Sequence, residues 1–329
     1  MSTRSRVLFS IVALPMVMAV MSGPVSGQDV GSRATRPGSA GRTVRQADRP
    51  VGRGGGAAAD QGGRGRGGRG GGAALPAGPI PRRPDGKPDL TGHWSGVGQG
   101  LTNSVILEDH AGGFGIQAGK TLIIDPPDGI IPYQPWGLAE RNRRRDDANG
   151  YEDPVGHCEF YDIGRVQMFP QEIMYAGDTI IINVTQHITR VVDMKRQQHL
   201  PDSIRLWVGD PIGRWEGDTL VVDSTNFNGR TRMAIGGDFY SPNAHIVERW
   251  APVDANTLRW TLTIDDPTVF TRPWTMTSAV PMRRVAGAAE FNGEDTCHEG
   301  NTDLAHLKNT YEQAHGTKAS WVKVAPTKP

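Results

Sequence analysis

The sequence predicts an all-β fold, an antiparallel meander closing into a barrel, and three observations predict it. Two similar units, Ala176-Gly177-Asp178-Thr179-Ile180-Ile181-Ile182 and Glu216-Gly217-Asp218-Thr219-Leu220-Val221-Val222, set a Gly-Asp pair before a β-branched run. Glycine adopts positive φ without steric cost, so each unit reads as a tight hairpin. From Leu258 to Asp265 the chain alternates strictly. Leu258, Trp260, Leu262 and Ile264 share one face, and Arg259, Thr261, Thr263 and Asp265 share the other. That period of two marks a strand with one dry side. Helical patterning is confined to 136–147 and 302–313. Short strands separated by Gly/Pro turns favour a barrel or sandwich. Sequential hairpins favour a meander, and closure removes its exposed edges, as in lipocalin-like barrels.

The remaining elements follow in order. Extended segments are expected at 93–96, 104–107, 120–125 and 164–169. The run 245–252 turns at Asp254-Ala255-Asn256 and returns as the alternating strand. A last strand is expected at 274–280.

The chain has 329 residues and a formal net charge of +1. That near-neutrality is a cancellation. Residues 1–27 carry Arg4 and Arg6, then an apolar run from Val7 to Met21, then the small residues Val25-Ser26-Gly27. This is the pattern of a secretory signal peptide, and the apolar run is short for a membrane span. Residues 28–80 hold 16 of the 43 glycines, nine arginines, no lysine and three acids. So few large apolar side chains cannot offset ordering entropy, which predicts a disordered basic linker. Its charge suits weak contact with anionic envelope polymers. The β domain, 81–329, carries a net charge of −7, and such a body repels phosphate. A nucleic-acid partner is therefore excluded for it. Export places the protein in the periplasm or outside the cell, with no transmembrane span in the mature chain.

Cys158 and Cys297 are the two cysteines. In an oxidising compartment such a pair is expected to form a disulfide. Neither has a base at a spacing that would make it a nucleophile.

Two blocks carry a family resemblance. Asp85-Gly86-Lys87-Pro88-Asp89-Leu90-Thr91-Gly92-His93-Trp94 resembles the N-terminal block of a widespread family of exported bacterial proteins. Ile212-Gly213-Arg214-Trp215-Glu216-Gly217-Asp218-Thr219-Leu220-Val221-Val222-Asp223 resembles its central block. Ala244 to Arg249 and Thr263 to Pro267 are similar to later blocks. The resemblance spans roughly 81–310 and implies export; it implies no particular reaction. The family usually has an acid two residues before the histidine, and Asn243 stands there here. Gly92-His93-Trp94 is also similar to the Gly-x-Trp near the first strand of lipocalin-like barrels. That likeness implies a tryptophan closing one end and an apolar ligand inside.

No phosphate loop, nucleophile elbow or His-Glu-x-x-His occurs, and no cofactor or metal is implied. The catalytic candidates are His245, Arg249 and Glu248. Period two sets His245 and Arg249 on one face, where a neutral imidazole would act as acid or base and the guanidinium would hold an anionic group. Glu248 points the other way, and cross-strand ion pairing is its alternative role. His187, Arg190, Trp215, Asn226 and Asn228 are the ligand-binding candidates. This set fits a hydratase, lyase or hydrolase acting on a small organic molecule. It fits equally a non-catalytic binding protein, with a structural envelope protein as the third class.

Overall fold

The computed structural model describes residues 75–96, 106–112, 118–166, 169–184, 188–278, 280–285, 297–298 and 301–320. The signal segment, nearly all of the 28–80 linker and His187 lie outside the described residues.

Among the described residues eleven strands form one sheet. They are β1 (Gly92–Ser95), β2 (Ile123–Asp125), β3 (Gln171–Ala176), β4 (Thr179–Val184), β5 (Ile188–Asp193), β6 (Asp210–Glu216), β7 (Thr219–Thr225), β8 (His245–Asp254), β9 (Thr257–Asp265), β10 (Trp274–Thr277) and β11 (Met282–Arg284). Nine of them close a ring, because β11 pairs with β1 on one side and with β9 on the other. The first half of β9 carries β11, while its second half carries β10 and then β2. The expected closed all-β barrel is therefore the architecture.

The hairpin signals placed the strands correctly. The β3–β4 and β6–β7 turns run through Gly177 and Gly217 at φ of 60° and 59°, as a turn glycine allows. The ring is antiparallel except at one junction. β5 meets β6 in parallel, through the single pair Asp193 and Ile212. Side chains fill what the ladder leaves there. A Cβ on Gly213 would lie 2.8 Å from Val192 Cγ1 and collide with Met194 Sδ, so glycine lets β5 pack directly on β6.

The strand expected at 164–169 is instead a turn over its described part. Asp162 Oδ1 accepts from the Gly164 N–H, and the amides of Arg165 and Val166 both bond to the Asp162 carbonyl. An Asx turn outcompetes a short apolar run. The two helices form at Pro135–Arg145 (α1) and Asp303–His315 (α2). No helix among the described residues is long and apolar enough to cross a membrane.

The core lies inside the ring. Trp94, Trp250, Trp260, Ile173, Ile182, Leu220, Val222 and Ile246 are all at most 1% exposed. Trp94 donates its indole N–H to the Leu90 carbonyl at 2.8 Å, and the Arg284 guanidinium covers its ring at 4.4 Å. Cys158 and Cys297 form the expected disulfide, joining the segment before α2 to the loop after α1. Asn301 Nδ2 donates to the Gly156 carbonyl and His315 bonds to Asn149 Oδ1, so α2 sits on that loop. None of its side chains is buried.

Candidate functional site

Alternation decides which polar side chains meet. On β8 the residues Ile246, Glu248 and Trp250 point inward, while His245, Val247 and Arg249 point outward. The expected shared face of His245 and Arg249 is real, but it is the outer face of the barrel.

Inside, Glu248 and Arg190 pair. Arg190 Nη1 donates to Glu248 Oε2 at 3.0 Å, Nη2 donates to Oε1, and Trp260 Nε1 adds a third bond to Oε2 at 3.0 Å. The two side chains are 1% and 3% exposed. The gap beside them, among Gln171, Val184 and Trp250, admits no water-sized sphere. Side chains fill that gap. Arg190 and Glu248 therefore face each other, and Glu248 does not face His245.

Arg249 also leaves the candidate set. It bonds Glu216 Oε2 from both terminal nitrogens, at 2.7 and 2.6 Å, on the exposed wall. Trp215 packs part-buried against the core. Asn228 closes a local turn by accepting from the Arg230 N–H. Asn226 adopts a left-handed φ of 61°, and its amide donates toward the carbonyls of Leu200, Pro201 and Ile204 at 3.1, 2.9 and 3.0 Å. It holds a loop rather than a ligand, but that loop builds the site.

The site is a cleft of about 490 Å³ on the outer wall, where the β5–β6 loop crosses the strands. Arg196, Gln197 and His199 come from that loop. Ile212, Gly213 and Arg214 come from β6, Asp223 and Thr225 from β7, and His245 from β8. Asp223 is central. Its Oδ1 accepts from His245 Nε2 at 2.8 Å and from His199 Nε2 at 3.1 Å. Arg214 Nη1 lies 3.6 Å from its other oxygen. Behind His199, Asp210 takes two bonds from Arg196, at 3.0 and 2.7 Å, and one from the Leu200 N–H at 2.9 Å. Asp223 and His199 are about four-fifths covered, while His245 is half-exposed.

The hydrogen bond from His245 holds the Asp223 carboxyl below its usual range, against the cost of its partial burial. The same bond raises His245 above its ordinary value against the cost of partial burial, and attraction to Asp223 and Asp265 adds to it while Arg214 opposes it. A neighbouring Arg249 leaves two expectations, a neutral imidazole or an acid beside it, and the acid is present: Asp223 holds the ring protonated to higher pH. Nδ1 of His245 has no protein partner among the described residues, so the proton it carries can be given to a bound molecule.

The sign of the pH dependence follows. The raised imidazole stabilises the fold fully below its unfolded value, about 6.5, and that gain is lost as pH rises through the folded value. The depressed carboxyl stabilises above its unfolded value, about 3.9, and that gain is lost as pH falls. The pair therefore contributes most between about pH 4 and 6.5. Asp223→Asn should lower the His245 midpoint in an NMR titration. A midpoint unchanged by that substitution would mean that the bond is not formed in solution.

Comparison of the chain with protein-family models, curated proteins and solved structures returns no match.

The site rests on its geometry alone. Among the described residues no group of three His, Cys, Asp or Glu is arranged to hold a metal ion. Of the sequence candidates among the described residues, His245 is the one that lines the cleft. His199, Asp223, Arg214 and Thr225 were missed, although Asp223 and Thr225 share a face by period two. His199 is 24 residues from Asp223 in the chain, on a loop with no periodic signal.

Proposed function

We propose that this chain is an exported β-barrel protein that binds a small polar organic molecule in the outer cleft. It acts on that molecule by proton transfer, without a redox cofactor. The observation that carries this reading is the His245–Asp223 dyad at 2.8 Å, opening onto a cleft of small-molecule size. His245 is the general acid, offering Nδ1–H to the bound molecule. Asp223 orients the ring and stabilises its charge. Gln197, Thr225 and Arg214 line the cleft and supply hydrogen bonds that fix the molecule's orientation. This chemistry serves a hydratase, lyase or hydrolase. The Cys158–Cys297 bridge supports an oxidising compartment, in keeping with the secretory pattern of residues 1–27.

The test uses the full chain and a panel of small esters, lactones and hydroxy acids. NMR shifts should move first at His245, His199 and Thr225. Hydrolysis of p-nitrophenyl acetate, or hydration of an unsaturated acid in the panel, should fall at least tenfold in His245→Gln while the variant still unfolds cooperatively in urea. Binding shifts that survive His245→Gln without turnover would favour the non-catalytic binding reading. Shifts confined to another surface would reject the cleft.

A further inference from the structure

The position of His199 is not explained by ligand contact alone. Its ring is bonded on both sides. Nε2 meets Asp223 Oδ1 at 3.1 Å, and Nδ1 meets the Asp210 carbonyl at 3.0 Å and Asp210 Oδ2 at 3.3 Å. All three are oxygens that accept and have no hydrogen to give. A ring protonated on one nitrogen would turn a lone pair toward an oxygen at one side or the other. Only a ring donating from both nitrogens satisfies the whole arrangement.

Resting on the reading of the cleft as the working site, we propose that His199 is a positioning residue, a charged clamp that fixes Asp223 against His245. The chain runs Asp210, His199, Asp223, His245, from a nearly buried carboxylate to a half-exposed imidazole. Its anchor is rigid. Arg196 and the Leu200 N–H hold Asp210, and Asn226 ties down the loop immediately after His199. Asp210 and Asp223 are both held below the usual carboxylate range. For Asp210, burial opposes this and the hydrogen bonds from Arg196 and Leu200 outweigh it. For Asp223 the bond from His245 leads.

The clamp has an electrical consequence. Two imidazoles on one oxygen have their Nε2 atoms about 6 Å apart at most. The charge on His199 therefore limits how far Asp223 can raise His245. The charged groups facing His245 are Asp223 on β7, Asp265 on β9, Arg214 on β6 and His199 on the loop. Those facing His199 are Asp210, Asp223 and, through Asp210, Arg196.

The experiment is NMR on the full chain with 15N-labelled histidine, and it needs no ligand. At neutral pH both ring nitrogens of His199 should show the shifts of protonated nitrogens. A single unprotonated nitrogen on His199 would overturn the proposal in the native protein, whatever any variant does. In His199→Gln, whose side-chain amide keeps one donor for Asp223 Oδ1 and removes only the charge, the His245 midpoint should rise by about half a pH unit, the effect of removing one positive charge at that distance in a solvent-like medium. An unchanged or lowered midpoint would also overturn it. Failure of the function reading looks different: no panel molecule moves His245, while both His199 results stand.

Discussion

Glu248→Gln should destabilise the protein by about 3–5 kcal/mol, because it leaves the Arg190 guanidinium inside the barrel without a counter-charge. Urea unfolding of the purified chain measures this directly. The reasoning turns on the difference between keeping and breaking a buried pair. Both side chains are all but inaccessible, and Glu248 accepts from both terminal nitrogens of Arg190 and from Trp260. Intact, the pair roughly offsets its own desolvation, so its net contribution is small. With the carboxylate gone, the guanidinium keeps its desolvation cost and loses the attraction. Among the described residues its Nε already lacks a partner, as does the Trp250 indole nitrogen, so no spare acceptor stands by there. Replacing both members, Arg190→Met with Glu248→Leu, should recover most of the lost stability. A cost below about 1 kcal/mol for the single substitution would show that water reaches the lumen.

That pair also shows what the sequence made legible. The alternation of β8 and β9 was visible, as were the turns at Gly177 and Gly217, because period two and positive φ are local properties. The barrel followed from counting such hairpins. Which face of β8 turns inward was not local. Ile246, Glu248 and Trp250 alternate with His245, Val247 and Arg249, and each set holds one apolar residue or two beside charge. A glutamate on the inner face looks wrong until its arginine is known. Arg190 lies 58 residues away, on a strand that reaches β8 only across the closed ring. His245 was found because period two sets it on one face with Arg249. Its true partners were hidden because His199 sits on an irregular loop, and that loop's place is fixed by Asn226, which donates to three of its carbonyls. Asn226 was singled out as a ligand contact. Its role is one step back, setting the wall of the cleft.

Reduction of Cys158–Cys297 should lower stability by about 5 kcal/mol, the loop-closure entropy returned to the unfolded chain by freeing 139 residues. In a body of this size that corresponds to a fall of roughly 10–20 °C in the melting temperature. The closed loop holds most of the barrel, from β3 through β11, so the bridge restrains the unfolded state of nearly every strand. The native side of the balance is smaller, and it is local. With no buried side chain of its own, α2 is held by the bridge, by Asn301 and His315, and by Leu307 against Gly150 and Gly156. Two effects should therefore separate. Thermal unfolding followed with and without a phosphine reductant should show the drop in melting temperature, and Cys158→Ser with Cys297→Ser should reproduce it. Limited proteolysis below that transition should cut first within 303–315 in the reduced protein and spare it in the oxidised one. Equal melting temperatures in both states would mean that the unfolded chain keeps these segments together without the bridge. Cutting in the strands before α2 would mean that the helix is anchored by more than the loop after α1.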